Sequence, residues 1–176
     1  MLSIDPNELS ERDNYKFLVG SIIPRPIAFV TTLSEDGVVN GAPFSYFNIV
    51  TSNPPMISIS VQRVGGKMKD TAHHAITKGE LVVHIVDEQN VEQVNETAAS
   101  VPSHVSEVQL AGMTLVESER VQVPAIQEAK IRMECVLEKA IELGGNGEEI
   151  GCDLLIARVV QFHIDEALYH KGRIDA

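Results

Sequence analysis

A mainly β domain with short helices is predicted by three observations. The segment IRMECVLEKAIEL (131–143) keeps a period of two over its whole length. Ile131, Met133, Cys135, Leu137 and Ile141 oppose Arg132, Glu134, Glu138 and Glu142. MISISVQ (56–62) alternates as cleanly, with Ile57, Ile59 and Val61 against Ser58 and Ser60. Finally, SEDG (34–37) places an Asp-Gly turn signal between two β-rich runs, PIAFVTTL (26–33) and VVNGAP (38–43), the pattern of a hairpin. Antiparallel strands with two or three short helices predict a barrel or sandwich rather than a parallel βαβ sheet.

The remaining elements follow in order. LVVHIV (81–86) is a strand candidate, and DLLIARVVQFHID (153–165) is a long β-branched one. GGNGE (144–148) is expected as a loop joining that last strand to 131–143 in an antiparallel pair. DTAHHAITKG reads as a helix, with Asp70 or Thr71 as its N-cap and Gly79 as its stop. DEQNVEQVNETAA (87–99) carries Val91 and Val94 three apart among polar residues, which predicts a surface helix.

No repeat, low-complexity tract or linker divides the 176 residues, so one domain over 1–176 is expected. Hydrophobic residues make up 44% of the chain, enough to build a core. The formal charge of −11, from 25 acidic against 14 basic residues, repels phosphate backbones and anionic lipid; no nucleic-acid or membrane partner is expected. No apolar run is long enough to span a bilayer, and the first residues lack the apolar stretch of a signal peptide, which points to a cytoplasmic protein. Cys135 and Cys152 have no CxxC spacing and read as reduced, buried thiols.

Several chemistries lack their residues. None of the six histidines makes HExxH or a metal-ligand spacing, so no metal is expected, and His73 and His74 read as a solvated helix face. There is no GxSxG, and neither cysteine has an evident base. The common phosphate loops, GxGxxG and GxxxxGK[ST], are missing too, so a phosphate would have to be held another way. MKDTAHHAI offers one. Lys69 supplies a charge, Asp70 and Thr71 open a helix whose free N–H groups favour an anion, and Thr71 adds a hydroxyl.

NGAPFSYFNIVTSNPP (40–55) is the other candidate. It concentrates three of the chain's eight aromatics among residues that prefer hydrogen bonds. Ser45 and Asn48 could bond the edge of a heteroaromatic ring or a polyol while Tyr46 or Phe47 packs beside it. A structural loop with aromatic plugs fits the same residues.

Taken together, PRPIA (24–28), the NGAPFSYFN block (40–48), the double proline and KDT (69–71) resemble the flavin reductase-like FMN-binding split-barrel family, in its flavoredoxin and nitrilotriacetate monooxygenase reductase-component branch. The resemblance implies a six-stranded antiparallel Greek-key split barrel that forms a homodimer with FMN at the subunit interface. It implies that Ser45, Tyr46, Phe47 and Asn48 line the flavin. Thr31, Thr32, Lys69, Asp70 and Thr71 would supply ribityl and phosphate contacts. His84 stands where the family often has Asn. The implied activity is an NAD(P)H:flavin oxidoreductase supplying reduced flavin to a flavin-dependent monooxygenase, with NADH or NADPH as donor. No side chain is then required as acid or base, and no catalytic residue is named. A flavoredoxin-type electron carrier, or an FMN-binding protein without turnover, fits the same resemblance.

Overall fold

The computed structural model describes residues 1–99, 101–145 and 149–175. Its centre is one antiparallel sheet built from β1 (Ala28–Leu33), β2 (Val39–Phe44), β3 (Phe47–Ser52), β4 (Pro55–Gln62) and β5 (Glu80–Ile85), then β8 (Ile131–Leu143) and β9 (Cys152–Ile164). Two short antiparallel ribbons lie outside this sheet: β6 (Leu115–Val116) pairs with β7 (Ala125–Ile126), and β10 (Tyr169–His170) with β11 (Arg173–Ile174). The helices are α1 (Glu11–Ser21), α2 (Asp70–Lys78), α3 (Val91–Glu96) and α4 (Glu107–Leu110).

Strand order in the sheet is β2-β1-β5-β8-β9-β4-β3, so the chain leaves one edge at β2 and resumes at the other with β3. Only Ser45 and Tyr46 join these opposite edges, so the sheet must curl on itself; the Ser60 N–H donates to the Tyr46 carbonyl (2.9 Å), which extends the β3–β4 ladder to that corner. The split-barrel class therefore holds, with seven strands in the sheet in place of the expected six. The extra strand lies in the stretch read as a loop. Only Ser45 and Tyr46 turn; Phe47 and Asn48 open β3, which pairs with β4 from Phe47 opposite Ile59 to Ser52 opposite Pro55. Ile49, Val50 and Thr51 are β-branched and suit an extended edge, a preference hidden by their polar neighbours.

Ile57, Ile59 and Val61 of β4 all point into the barrel, where they meet Val30, Leu81, Val83, Cys135 and Leu155. β5 is apolar without alternation because both its faces are covered. Leu81 and Val83 enter the barrel core, whereas Val82 packs outward with Val121, Val123 and Ala125. His84 shares that outward side. Its Nδ1–H donates to the Phe29 carbonyl (3.0 Å), and its Nε2 accepts the Ile126 N–H (3.0 Å). Burial pushes its pKa down to about 3, so the ring stays neutral and ties β1 to β7. The residue that departs from the family pattern is thus a structural pin.

Other expectations need correction. The 87–99 helix is confined to Val91–Glu96, preceded by a turn in which the Asn90 Oδ1 accepts the Asp87 N–H (3.1 Å). Asn and Asp favour such local bonds over helix. Cys135 is buried as expected, but Cys152 is only partly so; both are free thiols. The 144–148 loop lies partly outside the described residues, although the antiparallel pairing of β8 with β9 is present. Helix α1 is an addition. Ser10 caps it by accepting the Asp13 N–H (3.1 Å), and Arg25 donates to the carbonyls of Val19 and Ile22 at its far end. It buries none of its residues.

Candidate functional site

Helix α2 lays one face on the barrel. Thr71, Ala72, His74 and Ala75 are buried, at the spacing that puts them on one side. Gly79 ends it in the left-handed region (φ 74°), its N–H returning to the Ala75 carbonyl (2.9 Å). The start differs from the expected one: Lys69 is the N-cap, and Asp70 and Thr71 already lie within the helix. Lys69 has no oxygen to offer, and no side chain among the described residues caps this end. The N–H groups of Asp70, Thr71 and Ala72 consequently have no partner within the helix.

Thr71 is occupied from inside. The Asn40 amide donates to the Thr71 hydroxyl (2.9 Å) and to the Thr32 hydroxyl (3.2 Å), and the His74 Nδ1 lies 3.4 Å from Thr32. All four side chains are buried. His74 is therefore no part of a solvated face: α2 turns it inward, and burial lowers its pKa. His73 remains exposed. Since Asn40 supplies the donor, the O–H of Thr71 is left to donate, and Thr71 lines the neighbouring cavity. The sequence places Asn40 in the β-rich return arm 38–43 and gives it no role at the site.

Two cavities meet at Lys69, Pro43 and Phe44, which line both. One, of about 560 Å³, runs over the start of α2 past Asn40, Thr71 and Glu107. The other, of about 890 Å³, lies beyond Ser45 and Tyr46 against Ser60 and the glycines Gly65 and Gly66. Of the nine expected residues, Ser45, Tyr46, Lys69, Asp70 and Thr71 border this joined groove. Thr32 reaches it only through Asn40. Thr31 points the opposite way, and its hydroxyl donates to the Pro124 carbonyl (2.7 Å). Phe47 packs against the barrel core. Asn48 sits exposed on β3, its Oδ1 taking the N–H of Ile49 (2.8 Å).

Charge is arranged unevenly along the groove. At the larger cavity, Arg63 donates through Nε and Nη2 to both oxygens of Asp153 (2.9 and 2.6 Å) and through Nη2 to Glu142 (2.6 Å). The paired carboxylates raise its already high pKa, so this cation is committed to the wall. At the smaller cavity, Glu107 accepts the Gly41 N–H (3.4 Å), and its pKa is raised, chiefly by burial. Sequence reading gave no hint of Glu107. No group of three or more His, Cys, Asp or Glu able to hold a metal ion is present among the described residues.

Residues 19–176 match the flavin reductase like domain. The chain belongs to the flavin reductase-like family of flavoprotein oxidoreductases. An uncharacterised protein of Bacillus subtilis is 51% identical over 176 residues, 99% of this chain and 86% of its own length. The crystal structure of nitrilotriacetate monooxygenase component B from Bacillus cereus matches with a TM-score of 0.97 at 63% identity, over 99% of this chain and 86% of that one. The structure of 2-nitrobenzoate 2-nitroreductase from Pseudomonas fluorescens gives 0.87 at 31% identity, over 98% and 82%. No helix among the described residues is long and apolar enough to cross a membrane.

Proposed function

We propose that this flavin reductase-like protein binds FMN in the joined groove, with the phosphate at the start of α2, and uses NADH or NADPH to reduce it for a flavin-dependent monooxygenase. The uncapped N-terminus of α2 carries this reading. Lys69, the Thr71 hydroxyl and the uncapped helix start at Asp70 and Thr71 border one cavity, a donor set that suits a phosphate. The apolar wall of Ala42, Phe44 and Met68 beside them suits a ring and polyol. The 63% identity to a monooxygenase component supports the link to an oxygenase.

Bound FMN would supply the hydride-accepting ring. The chain's own part is to hold the phosphate at Lys69 and Thr71, to keep Thr71 oriented through Asn40, and to present Ser45 and Tyr46 at the mouth of the larger cavity. None of these roles requires a proton to move on the protein.

A homodimer belongs to the same proposal. Ile49 and Val50 on the β3 edge are 76% and 47% exposed, and α1 leaves Tyr15, Leu18 and Ile22 uncovered, apolar surface that a second copy would bury. Two free cysteines support a cytoplasmic setting. Mixing the protein with NADH or NADPH and excess FMN in the absence of oxygen tests the activity. Bleaching of the visible flavin band over many turnovers is expected. Tight FMN binding without turnover would make the protein a carrier instead. Light scattering should give twice the chain mass.

A further inference from the structure

Two carboxylates face the cavity in which the phosphate is proposed to sit. Asp70 opens α2, and Glu107 reaches in from α4. The cations of that wall are Lys67 and Lys69, so two positive side chains meet two negative ones and the lining is neutral. A wall built to retain a phosphate dianion would carry an excess of cations. Two bonds place Glu107 at this wall. Its carboxylate accepts the Gly41 N–H, and the Ser106 hydroxyl just before it donates to the Val39 carbonyl (2.6 Å). Both bonds tie α4 to the open edge of β2, one residue on either side of Asn40, whose amide holds Thr71.

We infer that Glu107 is a specificity residue that weakens the site's hold on the flavin phosphate, so that flavin binds reversibly, as a substrate that leaves once reduced. The inference rests on the phosphate placement proposed above. It accounts for a carboxylate on the wall of a cavity otherwise equipped for an anion. It also suits a protein that passes reduced flavin onward, since a tightly retained cofactor would not depart.

The test compares FMN with riboflavin, which has the same ring and polyol but no phosphate. Wild type, Glu107→Gln and Lys69→Ala are titrated by flavin fluorescence below their melting temperatures, so that affinities refer to folded protein. Gln keeps an oxygen for the Gly41 N–H and so preserves the cover over β2. Removing one charge should tighten FMN about tenfold, leave riboflavin unchanged, and slow FMN release in stopped flow. FMN affinity unaltered or weakened in Glu107→Gln, with Lys69→Ala still impaired, overturns the role of Glu107 and leaves the phosphate placement standing. Equal tightening of FMN and riboflavin also overturns it, because the effect would then be one of shape. If wild type binds both flavins equally and Lys69→Ala alters neither, the placement fails and this inference falls with it.

Discussion

At the bend around Glu119 the chain aims the N–H groups of Glu119, Arg120 and Val121 at the Glu134 carboxylate, at 2.8, 2.6 and 3.1 Å. At the start of α2 the N–H groups of the first turn have no cap, and Asp70 and Thr71 line a cavity. The two places use the same donors, and only the first is given its own anion. Glu134 is fully buried, and the His163 Nε2 lies 2.6 Å from it. Burial alone would raise its pKa; the backbone N–H bonds and His163 outweigh that and hold it below the usual carboxylate value. An internal anion of this kind fastens a loop to β8. Donors left without one are where an external anion can bind.

The comparison breaks first at Glu134. Glu134→Ala removes the acceptor of three N–H groups, that of Val121 buried and those of Glu119 and Arg120 partly so, and should cost about 3–5 kcal/mol, read by chemical denaturation. FMN affinity per folded molecule should not change. A loss of affinity without a loss of stability would reverse the roles assigned to the two regions. The pH dependence follows from the sign of the shift. With its folded pKa depressed, Glu134 contributes its full stabilisation above the usual carboxylate range and loses it as pH falls through the lowered value. Glu134→Gln should remove that part of the acid limb. A variant as acid-sensitive as wild type would assign the limb to other carboxylates.

Gly41→Ala comes next. A Cβ there would lie 2.5 Å from Val108 Cγ2 and 2.7 Å from Phe29 Cζ, so α4 must shift away from β2. The expected cost is about 1–3 kcal/mol. Because Gly41 also donates to Glu107, FMN affinity should change along with stability. An unchanged affinity would separate α4 from the site.

Most of the barrel was legible because its strands alternate against a single interior, as 56–62 and 131–143 do. The seventh strand was not, since Asn48 and Ser52 on an exposed edge look like a loop when pairing on one side alone defines the strand. Helix α1 escaped for a related reason: it buries nothing, so no apolar period marks it, and only Ser10 followed by Asp13 gave it away. At the site, Lys69 and Thr71 were readable from KDT. Asn40 and Glu107 were not, because their parts depend on register and on a contact across 66 residues. Asn40 stands opposite Thr32 in the β1–β2 ladder, which aims its amide at α2.

A smaller effect distinguishes Ser45 from Asn48. Ser45 borders the groove of its own chain, whereas Asn48 lies on the exposed β3 edge. With FMN in the groove proposed above, Ser45→Ala should weaken binding by about 1–3 kcal/mol, and Asn48→Ala by less. The reverse order, by FMN titration, would put the flavin on the β3 edge, where a second copy would have to complete the site.

The central claim is that the uncapped start of α2 is a phosphate site, and FMN–riboflavin discrimination measures it most directly. Titrated side by side, wild type should bind FMN about tenfold more tightly than riboflavin, and Lys69→Ala should lose most of that preference while its riboflavin affinity stays the same. Wild type binding the two flavins with equal affinity would contradict the claim.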